Sequence, residues 1–484
     1  MNLQRAFGLP LILAFGVTLS GQQSGDLQQT TNGLAALIYT GPSMKTLREL
    51  TDGVGGRLTG SPAHQRAADW VASKFRSFGI TSVRLEAFTI PNGWQRGSAR
   101  GEILGPTPRA LHVESLGWTP STPPGGIRGD VVLIADLDMA KLKAQSDQIK
   151  GKIVMLDTPK IFAEGYVKAL PKLHAAYQIF KDVGALGVIF PDRELNNVLN
   201  AHDSSWGAKV SVLPMAQVGM EDTRLIRRLL EPGPVSVQIE VENKVSGPTQ
   251  VNNVIAELRG SERPDEWILI GAHLDSWDFG TGAQDNGTGS IMVMEVARTL
   301  AALGKPPRRS IRFALWGGEE QGLLGSYAYT QAHLAELDKC VAVLNTDNGA
   351  GHPKGWKVEG RKDLRDAMQP ISDSLLKDFS GDDLSMDVSY DTDHGPFMLQ
   401  GIPALDLKVD MAHYGEIHHK SSDTFDKVDP VDFKAGAAIV AVTAYAIAQN
   451  PNPIAPHIDH AAVGAIIKKA GLDELLTEIG QWKP

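Results

Sequence analysis

The stretch from Trp267 to Leu300 constrains this chain more than any other. Trp267-Ile-Leu-Ile270 is a short apolar run rich in β-branched residues, which reads as a buried strand. Gly271-Ala-His-Leu-Asp-Ser-Trp-Asp278 follows, then a Gly-rich loop from Gly280 to Gly289, then a helical run from Ile291 to Leu300. Strand, loop and helix in that order build open α/β sheets. They deliver His273 and Asp275 to the C-terminal end of the strand, where such sheets place their ligand sites. Asp285 and Asn286 fall at the start of the helix.

The same alternation continues downstream, with strands expected over 254–258, 310–316, 341–344 and 404–407 and helices over 291–303, 323–334 and 430–448. Upstream, Ala67, Ala68, Trp70, Val71, Phe75 and Phe78 mark one face of an amphipathic helix, and residues 81–88 alternate as a strand. This predicts an α/β fold with a mixed, mostly parallel sheet between helices. The character changes between Leu111 and Lys244, after which the first pattern resumes. Strands read there over 130–135, 152–156, 185–190, 210–215 and 235–241 suggest a compact insert of about 130 residues, a normal domain size. The expected division is a leader over 1–21, a main domain split between 22–110 and 245–450, an insert over 111–244 and a tail over 451–484.

With 42% apolar and 21% charged residues the chain reads as globular, and its net charge of −9 argues against nucleic acid or an anionic membrane as partner. The basic start Met1–Arg5, the apolar run Phe7–Val17 and the small residues Thr18–Ser20 form a signal-peptide pattern. That run is too short to span a bilayer, and no later stretch is read as a span. A secreted or periplasmic protein is expected. Cys340 is the single cysteine, so no intrachain disulfide forms, and its apolar setting makes it a core residue.

His273-x-Asp275 alone is commonly a surface turn. Glu319 and Glu320, adjacent between glycines after an apolar strand, would repel each other unless a cation or a proton separates them. A solvated turn is the commoner fate of such a pair, but the placement at a strand end favours a site. Asp347 follows the strand Val341–Leu344, and His418-His419 precede the last long helix. His273, Asp285, Glu319 or Glu320, Asp347 and His419 would then converge on one sheet edge. Two imidazoles with several carboxylates are the donor set expected of paired Zn²⁺ ions.

Several stretches together are specific: His273-Leu-Asp-Ser-Trp-Asp278, Gln284-Asp285-Asn-Gly, Trp316 to Gly322, Asn345-Thr-Asp347, Asp393-His394-Gly-Pro-Phe397 with Gly401-Ile-Pro403, and His418 to Thr424. Through them the chain resembles family 28 of the metallopeptidases, two-zinc exopeptidases, and within it the carboxypeptidase Q-like branch. The insert resembles a protease-associated domain through Gly151-Lys-Ile-Val154 and Gly184-Ala-Leu-Gly-Val-Ile189. The resemblance implies the zinc-exopeptidase fold and two Zn²⁺ per chain, bridged by Asp285. One ion would take Glu320 and His419, the other His273 and Asp347. Glu319 would be the general base and Asp275 would orient His273. His419 is preferred to His418 because it keeps the family's spacing to Asp423, and Asp393 and His394 would shape the pocket. Short peptides or dipeptides are the implied substrates, attacked near either free terminus. A homodimer is the candidate assembly. The competing reading is a non-catalytic peptide-binding or receptor-like module on the same fold, which a complete ligand set disfavours.

Overall fold

In the described residues the strands form two eight-stranded sheets, drawn from different parts of the chain. The structure is a computed structural model that describes residues 15–163 and 165–484. Most of the expected leader lies outside them, and the helix Phe15–Tyr39 runs on through residue 21.

The first sheet has its parallel strands at the centre. Arg263–His273 pairs in parallel with both Arg309–Trp316 and Cys340–Asn345, and Cys340–Asn345 pairs in parallel with Ala404–Val409. Antiparallel pairing lies outside this group: Thr249–Leu258 joins Ser82–Ile90 to Arg309–Trp316, and Pro353–Lys357 runs against Ala404–Val409. The central strands are buried on both faces, which is why they read as continuous apolar runs.

Helices cover the sheet. Pro62–Ser77 starts at Ser61, whose hydroxyl accepts from the His64 amide at 3.2 Å, with proline at the first helical position. Pro430–Gln449 starts at Asp429, whose carboxylate takes the amides of Val431 and Asp432 at 2.7 and 3.1 Å. That last helix is long and apolar enough to cross a membrane, contrary to the expectation that no later stretch would be. It is instead buried along most of its length, packed against Thr288–Ala302 and Phe15–Tyr39.

The second sheet runs Arg109–Ala110, Trp94–Gly105, Ser236–Val245, Ile127–Ile134, Ile153–Leu156, Gly187–Pro191, Met215–Val218 and Val113–Ser115. Trp94–Gly105 was expected in the first part of the main domain. It pairs with Ser236–Val245 instead, so this sheet begins upstream of residue 111. The strand expected over 210–215 begins only at Met215. Pro214 has no N–H to give a ladder, and the Ser211 amide is taken by the Trp118 carbonyl at 2.8 Å. The tail expected over 451–484 carries two helices, His460–Lys469 and Asp473–Glu478.

Candidate active site

Parallel strands share a direction, so the residues that follow them gather on one edge. His273 ends its strand, paired with Trp316, and Glu319 lies just beyond Trp316. Asn345 pairs with Gly271 and Asp406, which puts Asp347 on the same edge. Asp285 precedes the helix Thr288–Ala302, held there by Asp423, whose carboxylate accepts from the amides of Gln284 and Asp285 at 2.7 and 3.1 Å.

The expected residues meet. His273 Nε2 lies 3.2 Å from Asp285 Oδ1, 3.0 Å from Asp347 Oδ1 and 4.0 Å from Glu319 Oε2. His419 Nε2 lies 3.4 Å from Asp285 Oδ2 and 3.0 Å from Glu320 Oε2. Asp285 therefore turns one oxygen to each imidazole. His273, Asp285 and Asp347 form one cluster whose donor atoms lie within 4.8 Å of one another; Asp285, His418 and His419 form another. His418 stacks on His419 with ring centres 3.7 Å apart, its Nε2 3.5 Å from Asp285 Oδ2. It is the more open of the two, 39% exposed against 17%.

Asp275 is fully buried, but its carboxylate does more than face His273. The nearer partner of His273 Nδ1 is the Asp275 backbone carbonyl at 2.9 Å; the carboxylate is 3.7 Å away. That carboxylate accepts from the Thr59 hydroxyl at 2.6 Å and from the amides of Glu319 and Glu320 at 3.3 and 3.4 Å, fixing the Glu-Glu turn.

From the protein's own groups, burial pushes the Glu319 carboxyl well up, and Asp347 and Glu320 add to it. Burial raises Glu320 likewise, with Asp285 adding. Burial opposes the charge on His273, yet Asp347 and Glu319 outweigh it and leave the imidazole well above its usual range. Asp285 is also penalised by burial, but its hydrogen bond to His273 and the nearby imidazoles hold it well down. A multivalent cation held among these acids would relieve the repulsion that shifts them.

Sequence reasoning missed three contributors. Arg57 is wholly buried and gives each of its nitrogens to backbone carbonyls: Nε to Leu274 at 2.7 Å, Nη1 to Gly55 and Thr281, and Nη2 to Gly282 at 2.8 Å. It moulds the loop between His273 and Asp285. Its signal was an arginine set between glycines in Gly56-Arg-Leu-Thr-Gly60, alongside Thr59. The third is the insert, whose Ala201 amide donates to the His419 carbonyl at 2.8 Å. Asp393, nearly fully buried, leaves both carboxylate oxygens without a hydrogen-bond partner.

These parallel strand ends, carrying two imidazoles and a ring of acids, are the frame of a metallo-exopeptidase. The model of Peptidase family M28 matches residues 253–444. Carboxypeptidase Q of Mus musculus is 30% identical over 421 residues, covering 85% of this chain and 86% of that protein. The crystal structure of a Peptidase M28 precursor from Shewanella amazonensis SB2B is 29% identical, with a TM-score of 0.77, covering 90% of this chain and 99% of that one. A zinc aminopeptidase from Bacillus subtilis shares the fold at 21% identity, with a TM-score of 0.64 and coverage of 86% and 97%. The chain belongs to peptidase family M28.

Proposed function

We propose that this protein is a di-zinc exopeptidase acting on short peptides or dipeptides near a free terminus. The observation that carries the reading is Asp285, with one oxygen 3.2 Å from His273 and the other 3.4 Å from His419. The donor set fits zinc: imidazole nitrogens and carboxylate oxygens in two groups sharing one acid. His273 and Asp347 would hold one ion, Glu320 and His419 the other, and Asp285 both. His419 is preferred to His418 because it is the more enclosed and the closer to Glu320.

Two zinc ions bound there would polarise the scissile carbonyl and lower the pKa of a water toward about 7. Glu319 is the general base: it accepts a proton from the attacking water and returns it to the leaving amine as the C–N bond breaks. Asp275 positions that base through the amide of Glu319 and the neighbouring Glu320 amide. The second sheet, residues 94–245, is read as a protease-associated-like insert, and the N-terminal pattern as an export signal. The complete donor set weighs against a non-catalytic module.

Metal analysis is expected to find two zinc ions per chain. Glu319→Gln is expected to keep that content while kcat falls by about 10² to 10⁴-fold. A Glu319→Gln enzyme of near wild-type turnover would end this assignment.

A further inference from the structure

The two imidazoles proposed to hold zinc are supported in different ways. His273 donates from Nδ1 to the Asp275 carbonyl at 2.9 Å, the usual device that fixes the ring of a ligating histidine. His419 has no such bond: its Nδ1 is buried without a hydrogen-bond partner. Its backbone also stands at φ +62°, a region that residues with a Cβ rarely enter. Both ring and backbone therefore need support from outside the residue. The turn that carries it supplies part, since the amides of His418 and Lys420 donate to the carbonyls of Tyr414 and Ile417, each at 2.9 Å. Neither of those bonds uses the groups of His419.

The rest comes from the insert. Between its strands Gly187–Pro191 and Met215–Val218 runs a loop anchored at Asp192. Asp192 is 5% exposed, and its carboxylate accepts from the amides of Arg193, Glu194 and Asn200 at 2.6, 2.9 and 2.8 Å and from the Gln217 side chain. One carboxylate thus closes residues 193–200 into an arch, and both ends of the arch grip the turn around His419. At one end Glu194 Oε2 pairs with Lys420 Nζ at 3.0 Å, a lysine whose side chain is only 4% exposed and also donates to the Gly415 carbonyl. At the other, Asn200 meets Lys420 in an antiparallel bridge, and the Ala201 amide donates to the His419 carbonyl at 2.8 Å. The next residue, His202, packs edge-on to the His419 ring with centres 5.6 Å apart. Trp277 flanks that ring at 5.9 Å and is itself packed edge-on to the insert's Trp118 at 6.3 Å.

We propose that Asp192 is a positioning residue for His419: by closing the arch it holds that imidazole at the zinc position shared with Glu320 and Asp285. This rests on the di-zinc reading above and adds to it a remote contributor to one of the two positions. The other position, at His273 and Asp347, has its own support in the Asp275 carbonyl. Linkage makes the effect reciprocal. Zinc held by His419 tightens the docking of the insert by the same factor by which docking tightens zinc.

The test uses the full chain and reads zinc affinity by chelator competition, with melting of the metal-free protein alongside. Wild type is expected to bind two ions. Asp192→Asn puts an N–H donor where backbone amides need an acceptor, and is expected to weaken one ion by about tenfold or more while leaving the other unchanged. Glu194→Gln alters a side chain 29% exposed and is expected to weaken the same ion with little change in melting, so it carries the test if Asp192→Asn does not fold. His419→Ala is the reference and is expected to bind a single ion. Adding Asp192→Asn to it is expected to leave the affinity for that ion unchanged. A role in folding alone would weaken both ions together, or lower melting with both affinities intact, and either result would overturn the proposal. A further loss of affinity in the His419→Ala background would overturn it too. In each of these cases a wild type that binds two ions leaves the exopeptidase reading standing, whereas a wild type that binds no zinc would overturn both.

Discussion

Replacing Arg57 with methionine keeps much of its length and removes every donor. Four carbonyls lose a charged partner, but they are not equal. Those of Gly55 and Thr281 are partly exposed and can turn to water, whereas those of Leu274 and Gly282 are enclosed. A buried acceptor stripped of its partner costs about 1–3 kcal/mol, so two of them set a loss of roughly 4 kcal/mol. Against a typical total of about 5–15 kcal/mol, that leaves a protein able to fold but visibly weakened. Because the freed carbonyls lie between His273 and Asp285, the same change should loosen both proposed metal positions. Urea unfolding of the metal-free protein reads the first effect, and zinc affinity by chelator competition reads the second. Arg57→Lys should recover part of each, since one ammonium cannot match the guanidinium fork. An Arg57→Met protein within about 1 kcal/mol of wild type, with unchanged zinc affinity, would refute the view that this side chain builds the loop.

Zinc loading should be acid-sensitive. Burial shifts Glu319 and Glu320 up, and Asp347 and Glu319 outweigh burial to shift His273 up, so protons compete with cations for these groups. Affinity is therefore expected to fall as pH drops, by about tenfold per pH unit for each proton displaced, with proton release visible when zinc is titrated in buffers of different ionisation enthalpy. A pH-independent affinity between 6 and 8 would contradict the shifts. Gly401→Ala tests the turn that leads into the strand Ala404–Val409: Gly401 has φ +77°, and a Cβ there would overlap the Ile458 carbonyl. The expected cost is about 3 kcal/mol by denaturant unfolding, and a loss under 1 kcal/mol would mean the segment yields freely.

The sequence disclosed the site better than its setting. His273, Asp347 and the Glu319-Glu320 pair stand just after apolar runs and Asp285 just before a helical one, so the pattern of strands and helix brings them to one edge. His419 needed the spacing to Asp423, because nothing local separates it from His418. Arg57 stayed hidden because its partners are backbone carbonyls more than two hundred residues away, which leave no mark on side-chain pattern. Trp94–Gly105 was missed because Trp94-Gln-Arg-Gly-Ser-Ala-Arg-Gly-Glu lacks the apolar alternation that reveals a strand, and only Trp94 and Ile103 along it are buried. The insert's loop from Asn200 to Gly207 is polar, and tertiary contacts such as those of Ala201 with His419 and Gly207 with Gln321 bring it to the metal donors.

The second sheet leaves and rejoins the first at adjacent points. Ile90 is paired with Thr249 and Trp94 with Val245, so the outgoing and returning segments run side by side. Residues 91–248 thus form an excursion from the tip of what would otherwise be an ordinary β-hairpin. A short turn from Ile90 to Thr249 could replace the whole excursion without unpairing a strand of the first sheet. The trimmed chain would keep every proposed zinc donor and lose the backbone contacts that Ala201 and Gly207 make to His419 and Gln321.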